Sequence, residues 1–318
     1  MSGAAQEKNN DIATEAVNSG PLKRLNSGVV SGPDSISNEK YGGVTSGSIK
    51  SNAMAATISM ASSHRVQAVG VGILSLGFGI LMWHFATLYN FNYFINFENV
   101  PSPLTVGGAF ISHLGDAEFY KHILVSMRRI LFAYCLAVLL GVTVGLLVGR
   151  SRLARAAVLP YIEVVRPIPA VAWIPLAILM WPTEESSIVY ITFLGALFPI
   201  ILNTIHGVEE TPEVLVRAAL SLGAKKFEVF WHVVLPAALP SIAAGLSIGM
   251  GISWFSLLAG EIISGQYGIG YFTWDAYSMI NYPDIVVGML IIGGLGTLST
   301  YLIGVLMRPA LRWKNFQR

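Results

Sequence analysis

Six long apolar runs most limit what this chain can fold into. Each is close to the roughly 20 residues that an α-helix needs to cross a bilayer. The whole chain agrees, because 53% of its residues are hydrophobic and only 12% are charged, against about 25% charged in a typical soluble domain. We therefore predict an all-α membrane protein, with a membrane domain over residues 65–307 and six transmembrane helices near residues 68–88, 123–148, 168–182, 187–205, 238–259 and 285–307.

The third run is the weakest of the six because prolines interrupt it. The stretch "LPYIEVVRPIPAVAWIPLAILMWP" contains Pro160, Pro167, Pro169, Pro175 and Pro182. Proline lacks a backbone donor and clashes with the preceding helical turn, so we predict a kinked or broken helix. Backbone groups freed inside a membrane need partners from protein or water, which favours a position against other helices.

The charges between the runs predict how the chain is oriented. One set of connecting segments carries ten basic residues, whereas the alternate set, over residues 89–122, 183–186 and 260–284, carries only Lys121. Since basic loops stay in the cytoplasm, both termini are predicted to be cytoplasmic in a multi-pass protein of the bacterial inner membrane. The ten residues are Arg150, Arg152, Arg155, Arg217, Lys225, Lys226, Arg308, Arg312, Lys314 and Arg318.

The ends of the chain and its potential ligands are less informative. Residues 1–64 are rich in Ser, Gly, Asn and Ala without apolar periodicity, which predicts a disordered cytoplasmic tail. Residues 308–318 are predicted to form a basic cytoplasmic C-terminus.

The single cysteine, Cys135, lies in an apolar run, and the six histidines have no ligand spacing, so we predict neither a metal site nor a cofactor bound by this chain. The lipid bilayer is a predicted partner, and nucleic acid is not.

Two shorter segments beside the predicted outer surface allow more than one interpretation. "VPSPLTVGGAFISHL" suits a proline-started amphipathic helix on that surface or a plain extended loop. "SGQYGIGYF" is rich in glycine and suits a re-entrant loop or a gate.

The longest predicted cytoplasmic loop, residues 206–236, has a helical pattern of its own. In "TPEVLVRAALSLG", Thr211 is a possible N-cap, Pro212 suits the first helical position and Gly223 suits a helix end. A second pattern, "AKKFEVFWHVVLP", places Phe227, Phe230 and Val234 on one face. We predict two short helices hinged at a glycine, which either dock a soluble partner or pack on the membrane surface.

These residues carry a resemblance to a known family. "AALSLGA", followed nine residues after Gly223 by "VVLP", resembles the coupling loop of permease subunits of binding-protein-dependent ABC importers. "SMRRILFAYCLAVLLGVTVGLLVGRS", "RPIPAVAWIPLAIL", "FPIILNTIHGV" and "LAGEIISGQYGIGYFTWDA" resemble the nitrate, sulfonate, taurine and bicarbonate branch of that family. The likeness covers about residues 66–307. Arg217 replaces the motif's Glu and Val233 replaces its Ile, and the first change removes any salt link that the Glu would make.

The resemblance implies a type I permease fold and a division of labour. Two separate ATP-binding subunits would hydrolyse ATP with Mg²⁺, an external binding protein would deliver a small anion or sulfonate, and a second copy of this chain would complete the pathway. The residues that would contact the ATPase are Arg217, Ala218, Ala219, Leu220, Gly223, Ala224 and Pro236.

The sequence gives this chain no ATPase motif of its own. A phosphate loop needs Gly, four residues, Gly, Lys and Ser or Thr. The nearest stretch, "GGVTSGS", has Ser48 where the lysine is required, and no strand precedes it. We therefore predict a membrane subunit that is not an enzyme.

A few polar and aromatic residues within the runs are candidates for the substrate pathway. Arg128 and Arg129 in the second run could offer guanidinium groups to an oxyanion, with Ser126 on the same helix face as Arg129. Alternatively, one arginine reaches the outer headgroups while the other pairs with Glu261. The other candidates, Trp173, Asn203, Thr204, Ser253 and Trp254, suit either the pathway or hydrogen bonds between helices.

A secondary transporter driven by an ion gradient is the alternative function. Such folds often have an internal repeat and acidic residues at mid-membrane. The six runs contain no mid-span acidic cluster, and that class does not explain the pattern over residues 216–236.

Overall fold

A computed structural model of the chain describes residue 67, residues 69–89 and residues 99–311. This part of the chain is helical and contains no β-strand. The predicted tail, residues 1–64, lies outside it, as do residues 312–318 of the predicted basic C-terminus.

The described residues form long apolar helices joined by shorter ones. The long helices are α1 (Val69–Leu88), α3 (Ala117–Arg150), α6 (Glu184–Glu209), α9 (Leu235–Ser264) and α11 (Tyr282–Met307). The shorter ones are α2 (Pro103–His113), α4 (Arg152–Val165), α5 (Ile174–Met180), α7 (Glu213–Ser221), α8 (Lys226–Val229) and α10 (Ile269–Ser278). Five helical runs are long and apolar enough to cross a membrane, with α8 and α9 joined as one run.

The third predicted span is a bent pair of helices. α4 and α5 are separated by the 3₁₀ turn Ala170–Trp173 and bend by 87°, and together they make up to a sixth span. The predicted break is thus confirmed, but the predicted limits, residues 168–182, were wrong because α4 begins at Arg152. Charged residues in α4 lower its hydropathy, and Pro160 lies within that helix without ending it.

Polar caps begin two long helices before their apolar runs. Asp116 accepts a hydrogen bond from the backbone N–H of Glu118 at 2.9 Å, at the start of α3. Thr183 Oγ1 accepts from the N–H of Ser186 at 3.2 Å, at the start of α6. Because side-chain caps satisfy free N–H groups, the helices extend several residues beyond the stretch that hydropathy identifies.

Helix α6 is the centre of the bundle, with α3 packed along it on one side and α9 on another. Small residues allow the close approach. A Cβ on Gly145 of α3 would lie 2.5 Å from Thr204 Cβ, and one on Gly245 of α9 would lie 2.6 Å from Asn203 Cβ. These glycines therefore allow α3 and α9 to approach α6 closely. Helix α1 is different, because none of its most apolar 18-residue window is buried.

The two ends of the bundle differ in charge. Ion pairs fix which residues share an end: Arg129 contacts Glu185 at 2.5 Å, and Arg155 pairs with Glu209. The end with Asp116, Glu118, Glu184, Glu185, Asp275 and Asp284 is called the acidic end here. The end with Arg150, Arg152, Arg155, Arg217, Lys225, Lys226 and Arg308 is called the arginine-rich end.

Candidate functional site

Helix α7 forms an exposed element at the arginine-rich end. It begins at Glu213 and is followed by Gly223, whose φ is +89°. The glycine therefore ends the helix as predicted, in a backbone conformation that L-residues rarely adopt. Thr211 was wrongly predicted as the N-cap, since Pro212 holds that position without a side-chain cap, and the Thr211 hydroxyl donates instead to the Gly207 carbonyl at 3.4 Å.

One face of α7 packs on the bundle and the other is open. Val216 and Ala219 contact a cluster of buried residues that includes Val229 and Val234. Apolar side chains on the open face are Val214, Leu215 and Leu220, which are 75%, 51% and 47% exposed, and Leu222 just beyond the helix is 89% exposed. Exposed apolar residues grouped on one short helix are typical of a docking surface.

The coupling residues predicted from the resemblance divide between these faces. Arg217 is exposed and pairs with Glu213 at 2.6 Å, one turn earlier. This hydrogen bond lowers the pKa of the Glu213 carboxyl. Arg217 thus has a local partner, although the family motif has an acidic residue at its position. Ala218, Leu220 and Gly223 are also exposed, while Ala219, Ala224 and Pro236 are half-buried.

The second half of the loop is not a separate helix, which corrects the prediction. α8 passes through one π-helical turn, Phe230–Val234, directly into α9, and Lys226–Ile263 forms one run of 38 residues. Pro236 is the second residue of α9, directly after this π-helical turn. Phe230 and Val234 pack on the bundle, but Phe227 is 72% exposed, so the predicted apolar face is incomplete.

A buried polar cluster joins four segments near the acidic end. Arg129 of α3 donates through Nη1 to Glu261 Oε1 at 3.0 Å, and through Nε to Glu185 Oε2 at 3.0 Å. Ser126 donates to Glu261 at 2.7 Å, and the Gly270 N–H donates to the same carboxylate at 2.9 Å. Glu261 is only 1% exposed. The cluster therefore fixes the glycine-rich segment after α9 against α3 and α6.

Arg128 and Arg129 have different surroundings despite being neighbours. The Arg129 side chain is 4% exposed and also donates to the Tyr267 carbonyl at 2.5 Å. The Arg128 side chain is 71% exposed and lies 3.6 Å from Glu185. The ion pair with Glu261 that the sequence suggested is present, and it involves Arg129. Contact of either arginine with substrate stays a prediction, because in this conformation the Arg129 donors are used within the protein.

Most of the other candidate polar residues bond within the bundle. Asn203 donates to the Pro199 carbonyl at 2.8 Å, Thr204 to the Ile200 carbonyl at 2.7 Å and Ser253 to the Gly249 carbonyl at 2.9 Å. Trp254 donates to Ser299 at 2.9 Å and so links α9 to α11. Trp173 differs, because its indole N–H is buried without a partner.

Trp173 lines a cavity of about 290 Å³ between the α4–α5 bend, α6 and α9. Arg166 and Ser256 also line it. Like Trp173 Nε1, Ser256 Oγ is buried without a hydrogen-bond partner. Sequence reasoning missed both residues. Arg166 could have been noticed, because it is a charged residue among the prolines of the third run. Ser256 could not, because the sequence of an apolar span does not show which side chains line a cavity.

The acidic end carries no metal cluster among the residues that the structure describes. In "SGQYGIGYF", α9 ends at Ser264, Gly268 has a φ of +130°, and α10 begins at Ile269. Of the two interpretations of "VPSPLTVGGAFISHL", the structure has the helix, α2, whose N-cap Ser102 accepts from the Thr105 N–H at 3.3 Å.

The fold and these sites define a multi-pass α-helical membrane protein with a short helix exposed at its arginine-rich end. The chain belongs to the family described as "Binding-protein-dependent transport system inner membrane component", which it matches over residues 137–313, more than half its length. The predicted family membership is thereby confirmed, and with it the type I permease fold.

Named relatives lie in the branch that the sequence indicated. The chain is 35% identical over 198 residues to the bicarbonate transport system permease protein of Synechococcus elongatus, covering 62% of this chain and 71% of the relative. It is 34% identical over 198 residues to the taurine transport system permease protein of Escherichia coli, covering 62% and 72%. It is 32% identical over 189 residues to the nitrate import permease protein of Leptolyngbya laminosa, covering 59% and 68%.

Proposed function

We propose that this chain is the membrane-spanning subunit of an ATP-driven importer for a small anion, such as a sulfonate like taurine, nitrate or bicarbonate. The observation that carries the proposal is α7, a short helix with an open apolar face that ends at a left-handed glycine. A helix of this kind suits a groove on a soluble partner. Family membership supports an ATPase as that partner.

The proposed assembly has two copies of this chain, two ATP-binding subunits and an external binding protein. The arginine-rich end would face the cytoplasm, because basic residues are retained there, and both termini would lie on that side. The ATP-binding subunits would bind ATP and Mg²⁺ and hydrolyse the nucleotide, while this chain would convert their closure into helix movement. No cofactor is assigned to this chain.

The choice of a small anion is supported by the chemistry shared by the relatives' named substrates. Nitrate and bicarbonate are oxyanions, and taurine carries a sulfonate, so each presents a compact negative oxygen group. The relatives are named for these compounds. The binding protein would set which anion is delivered, and the membrane subunit would need to accept a negative oxygen group.

An ion-gradient transporter is supported less well. Such a protein needs a carboxylate that is free to bind and release a cation at mid-membrane. Among the described residues, Glu261 is the one buried carboxylate, and it bonds to Arg129. It is therefore not free to exchange an ion in this conformation.

Uptake into proteoliposomes tests the proposal. The permease would be reconstituted with its ATP-binding subunits and binding protein, and the uptake of labelled nitrate, bicarbonate and taurine measured with ATP, without ATP and after collapse of ion gradients. We expect ATP-dependent uptake of one of the three that persists without gradients. Uptake that needs a gradient and ignores ATP would instead establish the secondary transporter, and no uptake of any anion would overturn the substrate class.

A further inference from the structure

The cavity beside the α4–α5 bend lies at intermediate depth in the bundle. Its residues on α6 begin at Leu194, about 15 Å along that helix from the acidic end at 1.5 Å per residue. Its walls are mainly apolar, with Phe198, Leu202 and Phe255 among them. A mid-membrane cavity with apolar walls and a few polar groups has the composition of a small-molecule site.

The polar groups of the cavity favour a ligand that accepts hydrogen bonds. Trp173 Nε1 can only donate, and it is buried without a partner. Ser256 is fully buried, and its Oγ also lacks a partner. Buried donors are rarely left unpaired in native proteins. These two therefore indicate an acceptor that arrives from outside the chain.

The charge of the cavity favours an anion. Arg166 lines it, and none of the described residues that line it is an Asp or Glu. The Arg166 guanidinium also contacts Glu163 at 2.9 Å, but both side chains are about half-exposed, at 45% and 46%. The contact with Glu163 involves one of the two terminal nitrogens of Arg166, and a guanidinium has five N–H donors, so other N–H groups of Arg166 are available to an anion in the cavity.

The Ser256 hydroxyl can bind a ligand only after a helix moves, because it is tightly packed in this conformation. The side chain packs against Gly195 of α6, where an added Cβ would clash with Oγ. Solvent does not reach either Ser256 Oγ or Trp173 Nε1. A small displacement of α9 or of the bend would expose both donors, and alternation between outward and inward states provides such movements.

We infer that this cavity is an anion-binding station within the membrane, where Arg166 attracts a compact oxyanion or sulfonate and Trp173 and Ser256 donate hydrogen bonds to it. The inference rests on the proposed function, because the ligand is the transported anion. It adds selectivity for negative oxygen groups inside this chain, beyond the selectivity of the binding protein.

Cysteine labelling tests the charge preference without requiring transport. Ile168 lines the cavity and is 41% exposed. In a Cys135→Ser background, Ile168→Cys would be labelled with anionic and cationic methanethiosulfonate reagents, with Leu179→Cys as the control on α5. We expect a higher anionic-to-cationic rate ratio at position 168 than at 179, with a fall on Arg166→Gln and slower labelling in nitrate. Equal ratios, or no effect of Arg166→Gln, would overturn the inference.

Uptake by donor variants tests the hydrogen bonds. Trp173→Phe keeps the ring and removes the donor, and Ser256→Ala removes the hydroxyl. Trp181→Phe is the matched control, because Trp181 lies outside this cavity and its ring centroid is 5.5 Å from that of Tyr190. We expect about tenfold or greater loss of uptake kcat/KM for Trp173→Phe, the change typical of losing a hydrogen bond to a charged ligand, and little change for Trp181→Phe.

The two experiments separate the failure of the site from the failure of the proposed function. If the wild-type assembly transports none of the three anions, the proposed function fails. If it transports one, and Trp173→Phe and Arg166→Gln transport it as well as Trp181→Phe does, the station is wrong while the importer stands.

Discussion

At the scale of single residues, the neighbours Arg128 and Arg129 show how one step along a helix changes the role of the same side chain. Arg129 faces inward and bonds to two carboxylates and a carbonyl, whereas Arg128 faces outward with one contact at 3.6 Å. Removing one partner of a buried ion pair destabilises the folded protein, because the other charge stays buried without compensation.

Replacement of each arginine by glutamine would separate these roles. We expect Arg129→Gln to lower the free energy of unfolding by about 3–5 kcal/mol, because it leaves Glu261 buried and unpaired. Arg128→Gln should cost less than about 1 kcal/mol, as for an exposed pair. Thermal unfolding of the detergent-solubilised protein measures both.

The double variant Arg129→Gln/Glu261→Gln provides the internal control. It should be less destabilised than the sum of the two single variants, because neither charge is left alone. Equal losses for Arg128→Gln and Arg129→Gln would contradict the assigned roles.

The sequence could predict part of this cluster and not the rest. Ionisable residues are rare in apolar runs, so Arg129 was conspicuous, and its pairing with Glu261 could be suggested. Glu185 lies in residues 183–186, which the sequence presented only as a connecting segment, because nothing in it shows that the start of α6 meets α3. The backbone donors of Gly270 and Ile269 were equally hidden, since they depend on the path of the chain after Gly265.

At the scale of elements, the turn after α7 decides how that helix is presented. Gly223 has a φ of +89°, and a Cβ added there would meet no heavy atom within 4 Å. A substitution at Gly223 is therefore disfavoured only by the positive φ, because an added side chain would not clash with neighbouring atoms. This separation allows the conformation to be tested without disturbing the packing.

Gly223→Val and Gly223→Asn form a matched pair for that test. Valine strongly disfavours positive φ, whereas asparagine tolerates it. We expect Gly223→Val to keep the membrane domain folded but to reduce ATP-dependent uptake at least severalfold relative to ATP hydrolysis, and Gly223→Asn to retain most of the coupling. Uptake and ATPase rates in the same proteoliposomes measure this, and unchanged uptake by the valine variant would count against a coupling role for α7.

The elements were predictable to the extent that hydropathy defines them. Five apolar runs matched long helices, and the prolines correctly indicated the broken third span. The errors occurred where another force acts: side-chain caps lengthened α3 and α6, charged residues concealed α4, and the π turn at Phe230–Val234 carried the chain past Pro236 without a break. Sequence periodicity alone does not distinguish two helices from one that contains a wider turn.

At the scale of the whole molecule, most basic residues of the connecting segments lie at one end of the described bundle, and the orientation predicted from them stays a prediction. The predicted tail, residues 1–64, adds little apolar surface that could pack on the membrane domain. Its removal should therefore leave both stability and transport intact.

Deletion of residues 2–64 tests this expectation. We expect a change of less than about 0.5 kcal/mol in unfolding free energy, as for substitutions away from packed features, and ATP-dependent uptake equal to that of the full chain. Both are measured beside the full-length protein at matched expression. Loss of uptake with unchanged unfolding would assign the tail a part in regulation or assembly.

The uninterrupted run from Lys226 to Ile263 has a mechanical consequence. Its 38 residues extend about 57 Å at 1.5 Å per residue, so a tilt of about 10° at one end moves the other by about 10 Å. The run begins two residues after Ala224, beside α7, and ends beside Glu261. A shift that an ATPase imposed on α7 would pass through its contacts with Val229 and Val234 into a single helical run that reaches the far side of the membrane.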